Sequence, residues 1–177
     1  MQTTTTLTLW EEILADPRFR DLPYKVETTE HGQIIMSPHK LRHSRAQGRL
    51  MRLLVQHLGD RGEEIVEFAI ETPKGVKVPD VVWISDERLA RIPEDAAASP
   101  VVPEIVVEVL SAGNTVAEME DKRRLYFDGG ALEVWLVAVD GQVTFYDAAG
   151  RMEASRLAPS FPARVEGRSK DEVRRSK

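Results

Sequence analysis

An acidic residue in the middle of an apolar strand constrains this chain more than any other feature. The segment EIVVEVL, residues 104–110, is typical of a β-strand, and Glu108 has aliphatic residues on both sides. Burying an unpaired carboxylate costs several kcal/mol, roughly as much as the stability of a whole domain. Such a residue therefore needs a cation close to it, supplied by a metal ion, a lysine or an arginine.

A second acid stands at the head of another apolar run. Asp80 follows a proline and precedes the segment VVWIS, residues 81–85. If this strand pairs with residues 104–110, Asp80 and Glu108 converge on one divalent cation held by oxygen ligands. Mg²⁺ suits such ligands, and Mn²⁺ is an alternative. Glu104 lies on the same strand face as Glu108, but at the strand entrance, where we expect it to be solvated.

A lysine completes this candidate set. Lys122 falls in a segment that has capping-box spacing at residues 115–118 and predicts a helix ending near Asp128. An ammonium group near two metal-binding carboxylates can orient the attacking water or stabilise the charge that develops on a phosphate. Lys77 is a rival, but it is expected on the opposite strand face to Asp80.

The order of the expected elements predicts an α/β (or α+β) fold, a mixed sheet flanked by helices. We expect a single domain over residues 1–163 and a flexible, charged tail over residues 164–177. The expected helices cover residues 7–20, 39–58, 86–92 (a helical turn) and 115–128, and the expected strands cover residues 24–30, 33–36, 63–72, 78–85, 104–110, 133–139 and 143–146.

The long helix expected over residues 39–58 has two different faces at 3.6 residues per turn. His43 and Gln47 lie at the polar end of the inner face, where we expect them to meet the sheet near the acids. A buried structural histidine is the simpler interpretation of His43. The outer face carries arginines at positions 42, 45, 49 and 52. A solvated surface is the simpler interpretation of Arg42, Arg45 and Arg49, and contact with nucleic-acid phosphates is the alternative.

The composition limits the cellular compartment and the binding partners that we expect for this protein. The 177 residues include no cysteine, which excludes disulfides and thiolate metal sites. No apolar run is long enough to cross a bilayer and no signal-peptide pattern is present, so we expect a cytoplasmic protein with no membrane partner. The net charge of −5 argues against broad non-specific coating of DNA. It is compatible with a nuclease whose acidic site works through a bound cation.

Short segments in a defined order extend this pattern over residues 24–147. They are GQIIMSP (32–38), GVKVPDVVWIS (75–85), PEIVVEVLS (103–111), Lys122, LYFDGG (125–130) and EVW (133–135). With these segments the chain resembles the PD-(D/E)XK nuclease superfamily and, within it, the Uma-type family of putative restriction endonucleases. The resemblance implies a restriction-endonuclease-like mixed central sheet flanked by helices.

The resemblance also implies roles for the acids and the lysine. Asp80 matches the aspartate of the "PD" half of the motif, and Glu108 matches the acid of the second half. The (D/E)XK pattern would place a lysine at position 110, where this chain has Leu110. In the Uma-type branch that lysine is displaced to the following helix, which here means Lys122.

Further positions match less closely. Glu27 matches an early glutamate of the family, which implies an additional contact to metal or water. His43 and Gln47 fall near similar polar positions. The family usually has a proline after the serine, whereas Ser111 is followed here by Ala112, so the loop is expected to differ in shape.

The expected function is therefore a Mg²⁺-dependent endonuclease acting on DNA, with Asp80 and Glu108 as metal ligands. One such site cuts one strand, so cleavage of both strands favours a homodimer. The alternative is a catalytically inactive nuclease-fold module that binds nucleic acid or protein, favoured by Leu110 and by the acidic composition. A sugar hydrolase with two carboxylates is disfavoured because the chain has few aromatic residues.

Overall fold

A six-stranded mixed sheet forms the centre of the structure, a computed structural model that describes residues 3–38 and 41–165. The elements in chain order are α1 (Thr3–Ala15), a 3₁₀ turn (Pro17–Phe19), β1 (Tyr24–Thr28), β2 (Ile34–Pro38), α2 (Leu41–Leu58), β3 (Gly62–Val66), β4 (Ile70–Thr72), β5 (Gly75–Lys77), β6 (Val81–Ser85), α3 (Asp86–Leu89), β7 (Ile105–Val109), α4 (Val116–Asp128), β8 (Glu133–Val137), β9 (Val143–Asp147) and β10 (Gly150–Met152).

The strand order of the central sheet is β10-β9-β8-β7-β6-β3. β7 and β8 run parallel, and the other neighbouring pairs are antiparallel. On β6 and β7, Val81 pairs with Val107, so Asp80 and Glu108 are neighbours one step beyond that pair. The predicted mixed sheet flanked by helices is confirmed. The two acid-bearing strands pair with each other, which is the condition on which the convergence of Asp80 and Glu108 depends.

Two helices cover opposite faces of this sheet. Leu50, Leu54 and Leu58 of α2 pack in one buried cluster with Val81 and Val107. Tyr126 of α4 packs in a second cluster with Val82, Val106 and Val134. Because successive residues of a strand point to opposite faces, these clusters lie on the two sides of the sheet. The burial of both faces explains the nearly continuous apolar sequences of β6 and β7.

The β1–β2 hairpin is fixed to the rest of the protein through β5. The hydroxyl of Thr28 accepts a hydrogen bond from the backbone N–H of Val76 at 2.8 Å, and Lys77 donates its ammonium to the Thr28 carbonyl at 2.7 Å. Gly75 has φ +93°, and a Cβ there would meet the Thr28 carbonyl oxygen at 2.5 Å, so only glycine allows this close approach. The contact fixes where β1 presents its side chains.

Several element boundaries differ from those expected. The strand predicted over residues 63–72 is two strands in different sheets, because Glu67 takes a left-handed conformation with φ +52° between β3 and β4. The first helix ends at Ala15, before Pro17 opens the 3₁₀ turn. The last strand, β10, was not predicted.

Parts of two predictions lie outside the described residues. These are the first two residues of the helix expected over residues 39–58 and residues 166–177 of the expected tail. The two described residues of that tail contact the domain: Arg164 forms an isolated bridge with Gln142, and Val165 is buried. In the part of the chain that is described, no helix is long and apolar enough to cross a bilayer.

Candidate active site

A cleft of about 320 Å³ lies where β6 begins and β7 ends. Its walls come from the β1–β2 hairpin, the N-terminus of α2, the loop after β7 and α4. The polar and charged residues that line it are Lys25, Glu27, Ser37, His43, Asp80, Glu108, Ser111, Asn114, Glu118 and Lys122. The structure therefore brings both predicted acids, the predicted lysine, Glu27 and His43 to one place.

Asp80 is held by three donors. Its Oδ1 lies 2.7 Å from the ammonium nitrogen of Lys25 and 2.9 Å from Nε2 of His43, and its Oδ2 accepts a hydrogen bond from the backbone N–H of Val109 at 2.7 Å. Burial alone would raise the pKa of this carboxyl, but the hydrogen bond from His43 and the charge of Lys25 lower the pKa of Asp80 to about 2. Asp80 is thus a buried carboxylate at neutral pH.

Glu108 is buried beside Asp80. Its Oε1 accepts hydrogen bonds from the hydroxyl of Tyr126 at 2.7 Å and from the ammonium of Lys122 at 3.3 Å. Its Oε2 lies 3.8 Å from the ammonium nitrogen of Lys25. Burial raises the pKa of Glu108 above its usual value, and the charges of Lys122 and Lys25 oppose this rise. The chain supplies the cations that an acid in this strand requires.

Lys122 bridges two acids. Its ammonium nitrogen lies 2.9 Å from Oε1 of Glu27 and 3.3 Å from Oε1 of Glu108. Burial alone would lower the pKa of Lys122, but the two carboxylates raise it well above its usual value. For Glu27, burial alone would raise the pKa, but Lys122 and Lys25 lower it, and a hydrogen bond from the backbone N–H of Val78 acts in the same direction. Lys122 is therefore a fixed positive charge in the site.

Lys25 is a site residue that was not predicted. It lies two residues before Glu27 on β1, so the two side chains leave the strand on the same face. The alternation of side chains along β1, which puts Lys25 on the same face as Glu27, was the sequence signal that could have identified Lys25 as a site residue. Burial alone would lower the pKa of Lys25, but Glu108 and Asp80 raise it. The result is a second ammonium group within reach of both acids.

The inner face of α2 meets the site as expected. The Gln47 side chain donates a hydrogen bond to the backbone carbonyl of Asp80 at 3.3 Å, and His43 contacts the carboxylate of the same residue. Gln47 does not line the cleft, and its hydrogen bond to the backbone of Asp80 supports the position of that residue.

The three predicted arginines differ in their positions. Arg42 and Arg49 line a second cavity of about 300 Å³, which shares His43, Val109 and Ser111 with the cleft. The guanidinium of Arg42 donates to the carbonyl of Val139. Arg45 is exposed on α2 and lines neither cavity.

The expectation that Glu104 is solvated is wrong. Glu104 is buried, accepts a hydrogen bond from the backbone N–H of Ser85 at 3.0 Å and pairs with the guanidinium of Arg88 at 3.2 Å. It therefore joins β7 to the start of α3. Lys77, the rival lysine, donates to the Thr28 carbonyl and does not line the cleft.

The donor set fits a hard divalent cation in its chemistry. In the described part of the chain no group of three or more His, Cys, Asp or Glu side chains is placed to hold a metal ion. Asp80 and Glu108 are nevertheless a pair that approaches one common point, since both carboxylates lie within 3.8 Å of the Lys25 nitrogen. One or two carboxylates, completed by water and a substrate phosphate, are the usual ligands of Mg²⁺ in phosphoryl chemistry.

Paired acids at the adjoining ends of two central strands, with a lysine from the next helix beside them, are the arrangement that the sequence predicts for a restriction-endonuclease-like fold. The model of the Uma2 family, described as "Putative restriction endonuclease", matches residues 10–156, and the chain belongs to this family. The expected family is thereby confirmed. Membership supports a nuclease function.

A solved structure shows the same fold. The crystal structure of a protein described as a putative nuclease belonging to DUF820, from Anabaena variabilis ATCC 29413, superposes with a TM-score of 0.69 at 17% sequence identity. The match covers 88% of this chain and 94% of that one. At this identity the likeness establishes the fold. No curated protein matches the chain significantly.

Proposed function

We propose that this protein is a divalent-metal-dependent endonuclease that hydrolyses phosphodiester bonds of DNA. The observation that carries the proposal is the approach of Asp80 and Glu108 to one cation position in the cleft, with the Lys122 ammonium 3.3 Å from Glu108. Replacing a buried set of ion pairs by apolar side chains is often neutral or stabilising, so two buried carboxylates with their lysines favour a functional reason for this arrangement.

Asp80 and Glu108 are the residues that would hold Mg²⁺ or Mn²⁺. When bound, such a cation polarises the scissile phosphate and lowers the pKa of an attacking water. The pKa of Asp80, about 2, keeps this ligand ionised through the whole neutral range, so it need not lose a proton before it binds a cation. Glu27 can accept a hydrogen bond from a water in the same cleft.

Lys122 acts as a fixed positive charge in this proposal. Its raised pKa keeps the amine protonated at neutral pH, so it does not serve as a general base. Its two ion pairs, to Glu27 and Glu108, hold the ammonium at the edge of the cleft. From there it can orient a water or stabilise the negative charge that develops on the phosphate.

The second cavity gives the DNA backbone a path away from the site. Arg42 and Arg49 lie along it, and it joins the cleft at His43. Arginine side chains along this cavity suit the phosphates that neighbour the reacting phosphate on the same strand. In this proposal Arg45, exposed on the same helix, would contact phosphates further along the duplex.

A homodimer is the assembly that we propose for cleavage of both strands, because each chain supplies one such site. Light scattering coupled to size exclusion tests this part, with and without a DNA duplex. A monomer in both conditions, together with cleavage of both strands in one binding event, would contradict it.

The test of function is cleavage of supercoiled plasmid with Mg²⁺, with Mn²⁺ and with excess EDTA. We expect nicked and linear products with either metal, none in EDTA, and at least about a hundredfold loss of rate in Asp80→Asn and in Lys122→Met. Lys74→Met is the control, because this half-exposed lysine pairs with Asp121 outside the cleft. Equal cleavage in EDTA, or by Asp80→Asn, would overturn the proposal.

A catalytically inactive module that binds nucleic acid or protein is the second candidate. It is favoured by Leu110, which replaces the motif lysine, and by the ammonium of Lys25, which already lies within 3.8 Å of both acids. Binding of a DNA duplex by wild type and Asp80→Asn alike, with no cleavage in Mg²⁺ or Mn²⁺, is the outcome that selects this function.

A further inference from the structure

A lysine stands where the proposed cation would bind. The ammonium nitrogen of Lys25 lies 2.7 Å from Oδ1 of Asp80 and 3.8 Å from Oε2 of Glu108, and the Lys25 side chain is only 13% exposed. An ammonium group between two carboxylates occupies the space and supplies the charge that a metal ion would otherwise provide.

We propose that Lys25 is an internal competitor of the divalent cation: its ammonium and the metal ion bind in alternation to Asp80 and Glu108. This inference rests on the proposed function, because it takes those two acids as the metal ligands. Mg²⁺ binds carboxylate oxygens at about 2.0–2.1 Å and repels a neighbouring ammonium. A cation that bound both acids would therefore displace Lys25 from its present contacts.

The charges in the cleft support this alternation. The buried carboxylates of Glu27, Asp80 and Glu108 are almost balanced by the ammonium groups of Lys25 and Lys122, whereas the Glu118 carboxylate, which also lines the cleft, belongs to an exposed residue. A divalent cation added to this set leaves an excess of positive charge, which a phosphate group would remove. Metal and phosphate are therefore expected to bind cooperatively.

The cleft has space for the displaced Lys25 side chain. Lysine is a compact charge on a flexible stem, and Lys25 lines a cleft of about 320 Å³ with Ser37 and Asn114 on its rim. In that space the ammonium can contact the phosphate that enters with the metal. Lys25 would then keep metal affinity low until substrate arrives, and afterwards help to hold the substrate.

The test is the affinity for Mn²⁺, measured by isothermal titration at neutral pH without DNA. We expect Lys25→Met and Lys25→Gln to bind Mn²⁺ at least about tenfold more tightly than wild type, because they remove a positive charge from the cation position. Lys74→Met removes the same charge outside the cleft and is expected to bind as wild type does. Asp80→Asn is expected to lose binding.

Thermal unfolding supplies a second readout. Mn²⁺ is expected to raise the unfolding midpoint of both Lys25 variants by more than that of wild type, since tighter binding to the folded state gives a larger stabilisation. Circular dichroism checks that both variants are folded. A merely structural role of Lys25 predicts lower stability and no gain in affinity.

The outcomes separate this inference from the proposed function. Equal or weaker Mn²⁺ binding by the folded Lys25 variants than by wild type would overturn the competition and leave the metal site intact. Absence of Mn²⁺ binding in wild type and in both Lys25 variants would overturn the proposed function together with this inference.

Discussion

The hydroxyl of Tyr126 donates a hydrogen bond of 2.7 Å to Oε1 of Glu108 inside the protein. Both residues are buried, with Tyr126 at 0% and Glu108 at 4% exposure. Burial and the charge of Glu108 raise the pKa of Tyr126 well above its usual value, so the phenol keeps its proton and remains a donor at neutral pH. The bond joins α4 to the acid of β7.

Replacing Tyr126 with phenylalanine removes this donor and leaves the packing of the ring in place. We expect Tyr126→Phe to lower the free energy of unfolding by about 1.5–3 kcal/mol, because a buried charged acceptor loses a partner. Urea unfolding at neutral pH measures this change. The control is Tyr146→Phe. The partly buried Tyr146 ring contacts Arg123, and among the described residues no hydrogen bond joins its hydroxyl to a buried acid. Equal stabilities of the two variants would contradict this role of Tyr126.

Glu104, directly before β7, and Glu108, within β7, are four residues apart and leave the chain on the same face, but of the two only Glu108 lines the cleft. We expect Glu104→Gln to lower the free energy of unfolding by about 1–3 kcal/mol, through its contacts with Ser85 and Arg88, and to leave Mn²⁺ affinity unchanged. Glu108→Gln is expected to stay folded and to lose Mn²⁺ binding. Calorimetric titration and urea unfolding of both variants check this pair, and loss of metal binding in Glu104→Gln would contradict it.

The low pKa of Asp80 makes the free energy of unfolding depend on pH. The pKa is about 2 in the folded state against 3.8 for an unperturbed aspartate, so the ionised group stabilises the fold above about pH 4. This contribution is lost as pH falls through the folded-state pKa, and it amounts to about 2 kcal/mol. We therefore expect the stability of wild type relative to Asp80→Asn to fall by about 2 kcal/mol on acidification from about pH 5 to the folded-state pKa.

Urea unfolding of both proteins across that pH range measures the effect. Asp80→Asn cannot titrate at this position, so it serves as the reference for all other acidic groups. A stability difference that stays constant, or grows on acidification, would show that the contacts of Asp80 with Lys25 and His43 do not favour its ionised form.

The placement of the two acids could be predicted because each follows from local sequence. Alternation within β7 sets the face of Glu108, and pairing with the next apolar run brings Asp80 beside it. Lys122 could be included because a long side chain on the following helix reaches back to the same point. These inferences require only that the two strands are neighbours in the sheet and that the helix after the second strand packs against it.

The other site residues depend on contacts that are distant in sequence. Lys25 reaches the acids because β1 is fixed against β5 by Thr28 and Gly75, and no local pattern specifies that approach. Glu104 was misjudged for a similar reason, since its partner Arg88 follows a different strand. The break at Glu67 was missed because a left-handed glutamate has no clear sequence signal.

The most direct measurement is anomalous diffraction from crystals of the wild-type protein soaked in Mn²⁺. We expect one strong anomalous peak between the carboxylates of Asp80 and Glu108, with the ammonium of Lys25 moved away from both. Well-ordered carboxylates with no peak between them, and Lys25 still in contact with Asp80 at high Mn²⁺ concentration, would contradict this expectation.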